Sequence, residues 1–138
     1  MTLGMGSIVI ARSQINAIVA HARVGAPDEV CGVVAVRDGT VISVVPTRNA
    51  ASTPRNRFEI DSRDLMRIVD IERDGLDVGF YHSHPDHPAR PSQFDLDHAW
   101  PFFSYIIVSV RGGVPEDMTS WRLREDRSAF DQEDLTHA

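Results

Sequence analysis

The sequence predicts an α/β domain of three layers, α-β-α, with a central mixed sheet flanked by helices. Three observations carry that expectation. Apolar residues recur at helical intervals in some segments, short β-branched runs lie between them, and Gly, Pro and Asp-Gly separate the two kinds at the spacing of one alternating domain without internal repeats. At 138 residues the chain is close to the usual size of one domain and can bury its own core, so a single domain over 1–138 is expected.

Gly6 to Ala11 reads as the opening strand. Ser13 is the expected cap of a first helix, because Ile15, Ile18, Val19 and Ala22 fall at i, i+3, i+4 and i+7, and Gly25 and Pro27 mark its end. Gly32 to Arg37 is apolar and β-branched, Asp38-Gly39 is a strong hairpin signal, and Val41 to Val45 returns antiparallel before Pro46. The polar stretch Thr47 to Asn56 reads as a loop, followed by a short strand, Arg57 to Ile60, with Phe58 and Ile60 on one side. Asp61 or Ser62 then caps a second helix with Leu65, Ile68 and Val69, and Ile71 as a further candidate, on its apolar face and Gly75 at its stop. From Leu76 a strand runs through Gly79-Phe80-Tyr81-His82 until the Pro-rich segment Pro85 to Pro91, and a third helix starts near Ser92. Tyr105 to Val110 is nearly all apolar, as in a strand covered on both faces, and Met118 to Leu123 follows the Gly112-Gly113 turn as its neighbour. Residues 125–138 read as a loosely ordered acidic tail.

Twenty Asp plus Glu against fourteen Lys plus Arg leave a net charge of −6, which disfavours nucleic acid as a partner. All fourteen basic residues are Arg, which excludes a Schiff-base lysine, a lysine base and a phosphate-loop lysine. The one cysteine, Cys31, cannot close an intramolecular disulfide or supply a thiolate-rich zinc site, so a metal would be held by His and carboxylates. A reducing cytoplasm is the expected location, and no stretch approaches the roughly 18 apolar residues of a spanning helix, so no membrane is expected.

The chemistry concentrates in Tyr81-His82-Ser83-His84-Pro85 and Pro91-Ser92-Gln93-Phe94-Asp95. On a strand, His82 and His84 project to the same side, and Pro85 forces the chain out of the ladder so that a later residue can return over the strand's end. Asp95, about one turn into the next helix, could then offer a carboxylate oxygen. Two imidazoles and one carboxylate suit Zn²⁺ with a fourth position open. Each fragment alone has an ordinary reading: Ser92 and Asp95 also match a helix capping box. Glu29, just before the Cys31-Gly32-Val33-Val34 run, could lean over the same end of the sheet as a proton acceptor, or be a solvated charge in a turn. His87 and His98 read as surface or supporting histidines, Trp100-Pro101-Phe102-Phe103 as a helix end packing into the core, and Arg55 and Arg57 as a solvated pair.

Pro27-Asp28-Glu29-Val30-Cys31-Gly32, followed by His82-Ser83-His84-Pro85 and Ser92-x-x-Asp95, closely resembles the JAMM (MPN-plus) metalloprotease family, over about nine tenths of the chain. The resemblance implies a cytidine-deaminase-like fold and one Zn²⁺ per chain, bound by His82, His84 and Asp95 with a water completing the tetrahedron. It also implies Glu29 as general acid/base and Ser92 as donor to the oxyanion. It implies hydrolysis of a peptide or isopeptide bond after the C-terminal Gly-Gly of a ubiquitin-like protein. The short chain is similar to small prokaryotic members acting on sulfur-carrier proteins, some of which release cysteine or another amino acid. A homodimer is compatible with the resemblance and not required by it. Two other readings stand beside it. A zinc nucleobase deaminase would need Cys ligands that this chain lacks, and a non-catalytic MPN-type interaction or scaffold module would be expected to have lost the site residues that are intact here.

Overall fold

The computed structural model describes residues 7–137. The elements, in chain order, are β1 (Ser7–Ile10), α1 (Arg12–Gly25), β2 (Cys31–Arg37), β3 (Thr40–Thr47), a 3₁₀ turn (Ser62–Asp64), α2 (Met66–Arg73), β4 (Asp77–Pro85), α3 (Gln93–His98), β5 (Ser104–Arg111), β6 (Val114–Leu123) and β7 (Phe130–His137). Gly6, expected in the first strand, lies outside the described residues.

The expected three-layer α-β-α sandwich, a central mixed sheet flanked by helices, is corrected by the sheet itself. It closes into a seven-stranded barrel in the order β1-β3-β2-β4-β5-β6-β7, and strand outweighs helix, 43% to 24%. Closure comes from the acidic end of the chain. Instead of a loose tail, residues 130–137 form β7, which pairs antiparallel with β6 and parallel with β1 from Ser7↔Asp134 to Ile10↔His137. Its buried position is filled by a charged residue: Glu133 is 4% exposed, accepts a hydrogen bond from Ser120 Oγ at 2.7 Å and faces Arg122 Nε at 3.4 Å. A buried carboxylate needs such partners.

β2 and β3 form the expected antiparallel hairpin, turned at Asp38 (φ 49°) and Gly39 (φ 78°), the left-handed pair that an Asp-Gly turn supplies. β4 lies between β2, antiparallel, and β5, parallel. Alternate residues of these strands feed two cores. On one face Ile18 and Ala22 of α1 pack with Ile8, Ile10, Val34 and Ile106, and on the other Ile71 of α2 packs with Val33, Ala35 and Val78. A strand covered on both sides reads as a continuous apolar run, as β5 does.

Local details differ from expectation where backbone needs a partner. Ser13 lies inside α1; Ala11 is its N-cap, and the Gln14 side chain accepts the Ala11 N–H at 2.9 Å. Asp61 caps the 3₁₀ turn by accepting the Arg63 N–H at 2.8 Å. Arg57 to Ile60 forms no strand: Ile60 makes an isolated bridge with Asn49, and the segment serves instead as the wall of a groove. Among the described residues, no helix is long and apolar enough to cross a membrane.

Candidate metal centre

The C-terminal end of β4 alternates its side chains between two environments. Tyr81 and Ser83 turn to one side, where the Tyr81 hydroxyl meets His21 Nδ1 at 2.6 Å and Ser83 Oγ accepts the Val30 N–H at 2.8 Å. His82 and His84 turn to the other, and both are buried. After Pro85 the chain leaves the sheet and returns at α3. Ser92 caps that helix by accepting the Asp95 N–H at 3.0 Å, while Asp95 Oδ2 accepts the Ser92 N–H at 2.9 Å. The reciprocal cap turns the carboxylate back toward β4. Asp95 Oδ2 lies 3.1 Å from His82 Nε2 and 3.1 Å from His84 Nε2, and the two ring nitrogens are 3.0 Å apart.

This convergence identifies what the site accepts. His84 Nδ1 donates to the Pro88 carbonyl at 2.9 Å, so its Nε2 presents a lone pair to the cluster. An imidazole lone pair and a carboxylate oxygen aimed at one point require a cation or a proton between them. Asp95 is held well below the usual carboxylate range: burial pushes it up, but the charge and hydrogen bond of His82, with the bonds from His84 and Ser92, outweigh that cost. Burial drives His82 down despite Asp95. For His84 burial also acts downward, yet Asp95, the Pro88 carbonyl and Glu29 carry the balance upward. The donor set, two imidazoles and one carboxylate in a buried recess, fits a divalent metal such as zinc.

Glu29 reaches the same place from across the sheet. Its N–H donates to the Pro54 carbonyl at 2.7 Å, and its own carbonyl accepts from Asn49 Nδ2 at 2.9 Å. Its carboxylate lies with the donor atoms of His82 and His84 inside 4.8 Å, a group that could itself hold a metal. Asp95 is the carboxylate in contact with both rings, whereas Glu29 Oε1 is buried with no hydrogen-bond partner. Burial is the main reason that its acid is pushed up to about 8, with Asp95 adding to the rise and His84 opposing it.

A groove of about 640 Å³ opens from His82 and Asp95, walled by Phe58, Ile60, Phe80, Phe94 and Trp100. Phe58 stacks on the His82 ring at 4.5 Å. The remaining candidates fall outside the cluster. His98 stacks on Phe94 and bonds its carbonyl, and His87 is exposed. Cys31 is buried beside Thr47 with its thiol pushed up to about 11, mainly by burial, which makes it inert. Trp100 and Phe102 are 63% and 65% exposed, so that part of the aromatic run does not pack into the core as expected; Phe103 does, against Phe80. Arg57 is not merely solvated, since its guanidinium covers the Phe94 ring at 4.6 Å. Sequence reasoning did not single out Ser83, Pro88 or Asn49. Only Ser83 had a local signal: between two inward histidines it must face the opposite side.

Residues 11–124 match the family of prokaryotic homologs of the JAB domain. The chain belongs to that family. This JAB-domain protein is 42% identical to a desampylase from Haloferax volcanii over 106 residues, 70% of this chain and 76% of the relative. It is 34% identical to the CysO-cysteine peptidase of Mycobacterium tuberculosis over 121 residues, 84% of this chain and 82% of that protein. The solution structure of a protein from Desulfitobacterium hafniense aligns with a TM-score of 0.79 at 33% identity, covering 95% of this chain and 92% of that one. Its relatives make the JAB-domain protein an enzyme, a JAMM-type peptidase.

Proposed function

We propose that this JAB-domain protein is a zinc-dependent peptidase that hydrolyses the peptide or isopeptide bond after the C-terminal Gly-Gly of a ubiquitin-like sulfur-carrier protein, releasing cysteine or another amino acid. The observation that carries the zinc site is the meeting of His82 Nε2, His84 Nε2 and Asp95 Oδ2 within 3.1 Å in a buried recess. The substrate class is supported by relatives named for desampylation and for cleaving CysO-cysteine.

His82, His84 and Asp95 would hold the zinc, which when bound supplies a Lewis acid for the scissile carbonyl and makes water more acidic. Glu29 is the acid/base. Its carboxylate takes a proton from the attacking water and returns it to the leaving amine, and burial tunes it toward neutrality for both transfers. Ser92 Oγ is engaged as an acceptor by the Asp95 N–H, which orients the exposed hydroxyl and leaves its proton to donate to the developing oxyanion. Phe58, stacked on His82, shields that ring from solvent. The groove suits an extended tail, and two glycines let backbone approach its walls closely.

The test is metal content by elemental analysis of untagged protein, beside a mass-spectrometric assay of a sulfur-carrier protein extended beyond its Gly-Gly end. One zinc per chain with chelator-sensitive loss of the extension is the expected result. Zinc without cleavage would reject this substrate, and protein without divalent metal would reject the site in favour of an interaction module.

A further inference from the structure

Asn49 follows β3 and is itself no candidate for chemistry, yet its carboxamide is the most fully used polar side chain near the site. Its Oδ1 accepts the Ala51 N–H at 3.0 Å and the Glu59 N–H at 3.1 Å. Its Nδ2 donates to the Arg57 carbonyl at 3.1 Å and to the Glu29 carbonyl at 2.9 Å. Two donors and two acceptors exhaust what an amide offers. The network also sets its orientation, because a flipped amide would aim its NH₂ at two N–H groups and its oxygen at two carbonyls.

Three of those bonds clasp the loop of residues 50–59 at both ends, and the backbone Ala50 N–H to Glu59 carbonyl bond, 2.8 Å, closes the same neck. Ala50, Ala51, Ser52, Arg57, Phe58 and Glu59 of this loop line the groove. The fourth bond leaves the loop for Glu29, whose N–H is meanwhile held by Pro54 of the same loop. The residue whose carboxylate faces the imidazole pair is thus fastened through its N–H to the loop that walls the groove and through its C=O to the asparagine that clasps that loop. We infer that Asn49 is a positioning residue that makes the groove loop and Glu29 one mechanical unit, so that a chain seated in the groove fixes the Glu29 carboxylate over the scissile bond.

The inference rests on the acid/base role proposed for Glu29. Misplacing a group of that kind without removing it characteristically costs about ten- to a hundredfold in activity. Asn49→Asp keeps the size and both acceptor positions but replaces the two donors with an oxygen facing the Glu29 and Arg57 carbonyls. Asn49→Ala removes all four bonds. Both are compared with wild type and with Glu29→Gln for zinc content, for kcat and KM on the extended carrier, and for amide hydrogen exchange of the metal-loaded protein without substrate.

Expected are unchanged zinc content, a kcat lowered about ten- to a hundredfold for both variants, and no further loss when Asn49→Ala is added to Glu29→Gln, because a residue acting through Glu29 has nothing left to position. Exchange should quicken together in residues 50–59 and at Glu29 and Val30 while β4 stays protected. A loss that multiplies with that of Glu29→Gln, or Glu29 and Val30 remaining protected in Asn49→Ala, would overturn the inference. The exchange measurement needs no substrate, so failure of the carrier to be cleaved by wild type would count against the proposed reaction and leave the coupling of loop to Glu29 separately decided.

Discussion

Ser83 and Val30 bond each other twice: Ser83 Oγ accepts the Val30 N–H at 2.8 Å, and the Ser83 N–H donates to the Val30 carbonyl at 3.1 Å. The side chain between the two imidazoles thereby joins β4 to the residue after Glu29. This pair of bonds ties the backbone beside the acid to the strand that carries the imidazole pair.

Ser83→Ala leaves the buried Val30 N–H without its acceptor, a loss of about 1–3 kcal/mol for a group of this kind. Urea denaturation should show that loss with an unchanged m-value. Ser83→Thr, which keeps the hydroxyl, should recover most of it; equal stability of Ala and wild type would show that the bond is dispensable.

Asp95 serves the helix and the cluster with one oxygen, since Oδ2 accepts the Ser92 N–H and faces both rings. Asp95→Asn preserves the shape and can still present an oxygen to Ser92, but it removes the negative charge. Metal analysis should find Asp95→Asn and His84→Ala depleted of zinc while α3 remains folded. Stoichiometric zinc in either variant would remove that residue from the ligand set.

Gly32 pairs with Tyr81 across β2 and β4, and the Tyr81 ring lies where a Cβ would project, so that an added Cβ would overlap Cε2. The ring cannot swing away without losing its contact with His21. Gly32→Ala should therefore destabilise by at least ~1–3 kcal/mol, the usual cost of overpacking, and lower the thermal midpoint by several degrees. A midpoint within a degree of wild type would show that the ring relocates freely.

The cluster was legible because its geometry is local. Strand alternation, the Pro85 break and the Ser92–Asp95 cap each follow from a few consecutive residues, and together they turn three donors to one point. Glu29 had only its place just ahead of the Cys31 run and the family resemblance to recommend it, since its placement depends on Asn49 and Pro54, 20 and 25 positions away, and on the bonds of its neighbour Val30 to Ser83, 53 positions from Val30. Closure of the sheet was hidden for a different reason. β7 reads Phe-Asp-Gln-Glu-Asp-Leu-Thr-His, and its fully buried position is Glu133, so the apolar alternation that announces a strand is missing. The same partners that permit a carboxylate there, Ser120 and Arg122, lie on the neighbouring strand and become visible only once the register is known.

Glu29 gives the metal-free protein a pH signature with a definite sign. Its acid is raised from 4.5 to about 8, chiefly by burial, so across that interval the folded chain keeps a proton that the unfolded chain has released. The contribution is fully present below pH 4.5 and is lost as pH rises toward 8, where the native group must ionise in its recess. Glu29→Gln lacks the term, while His82, His84 and Asp95 are common to both proteins. In chelator-treated samples the mutant should therefore gain stability relative to wild type as pH rises from 4.5 to 8, and the difference should level off above that. Thermal midpoints of the two proteins at pH 5, 7 and 9 measure it directly. A difference independent of pH would mean that Glu29 is ionised throughout in the folded protein, and burial would then not be what tunes it.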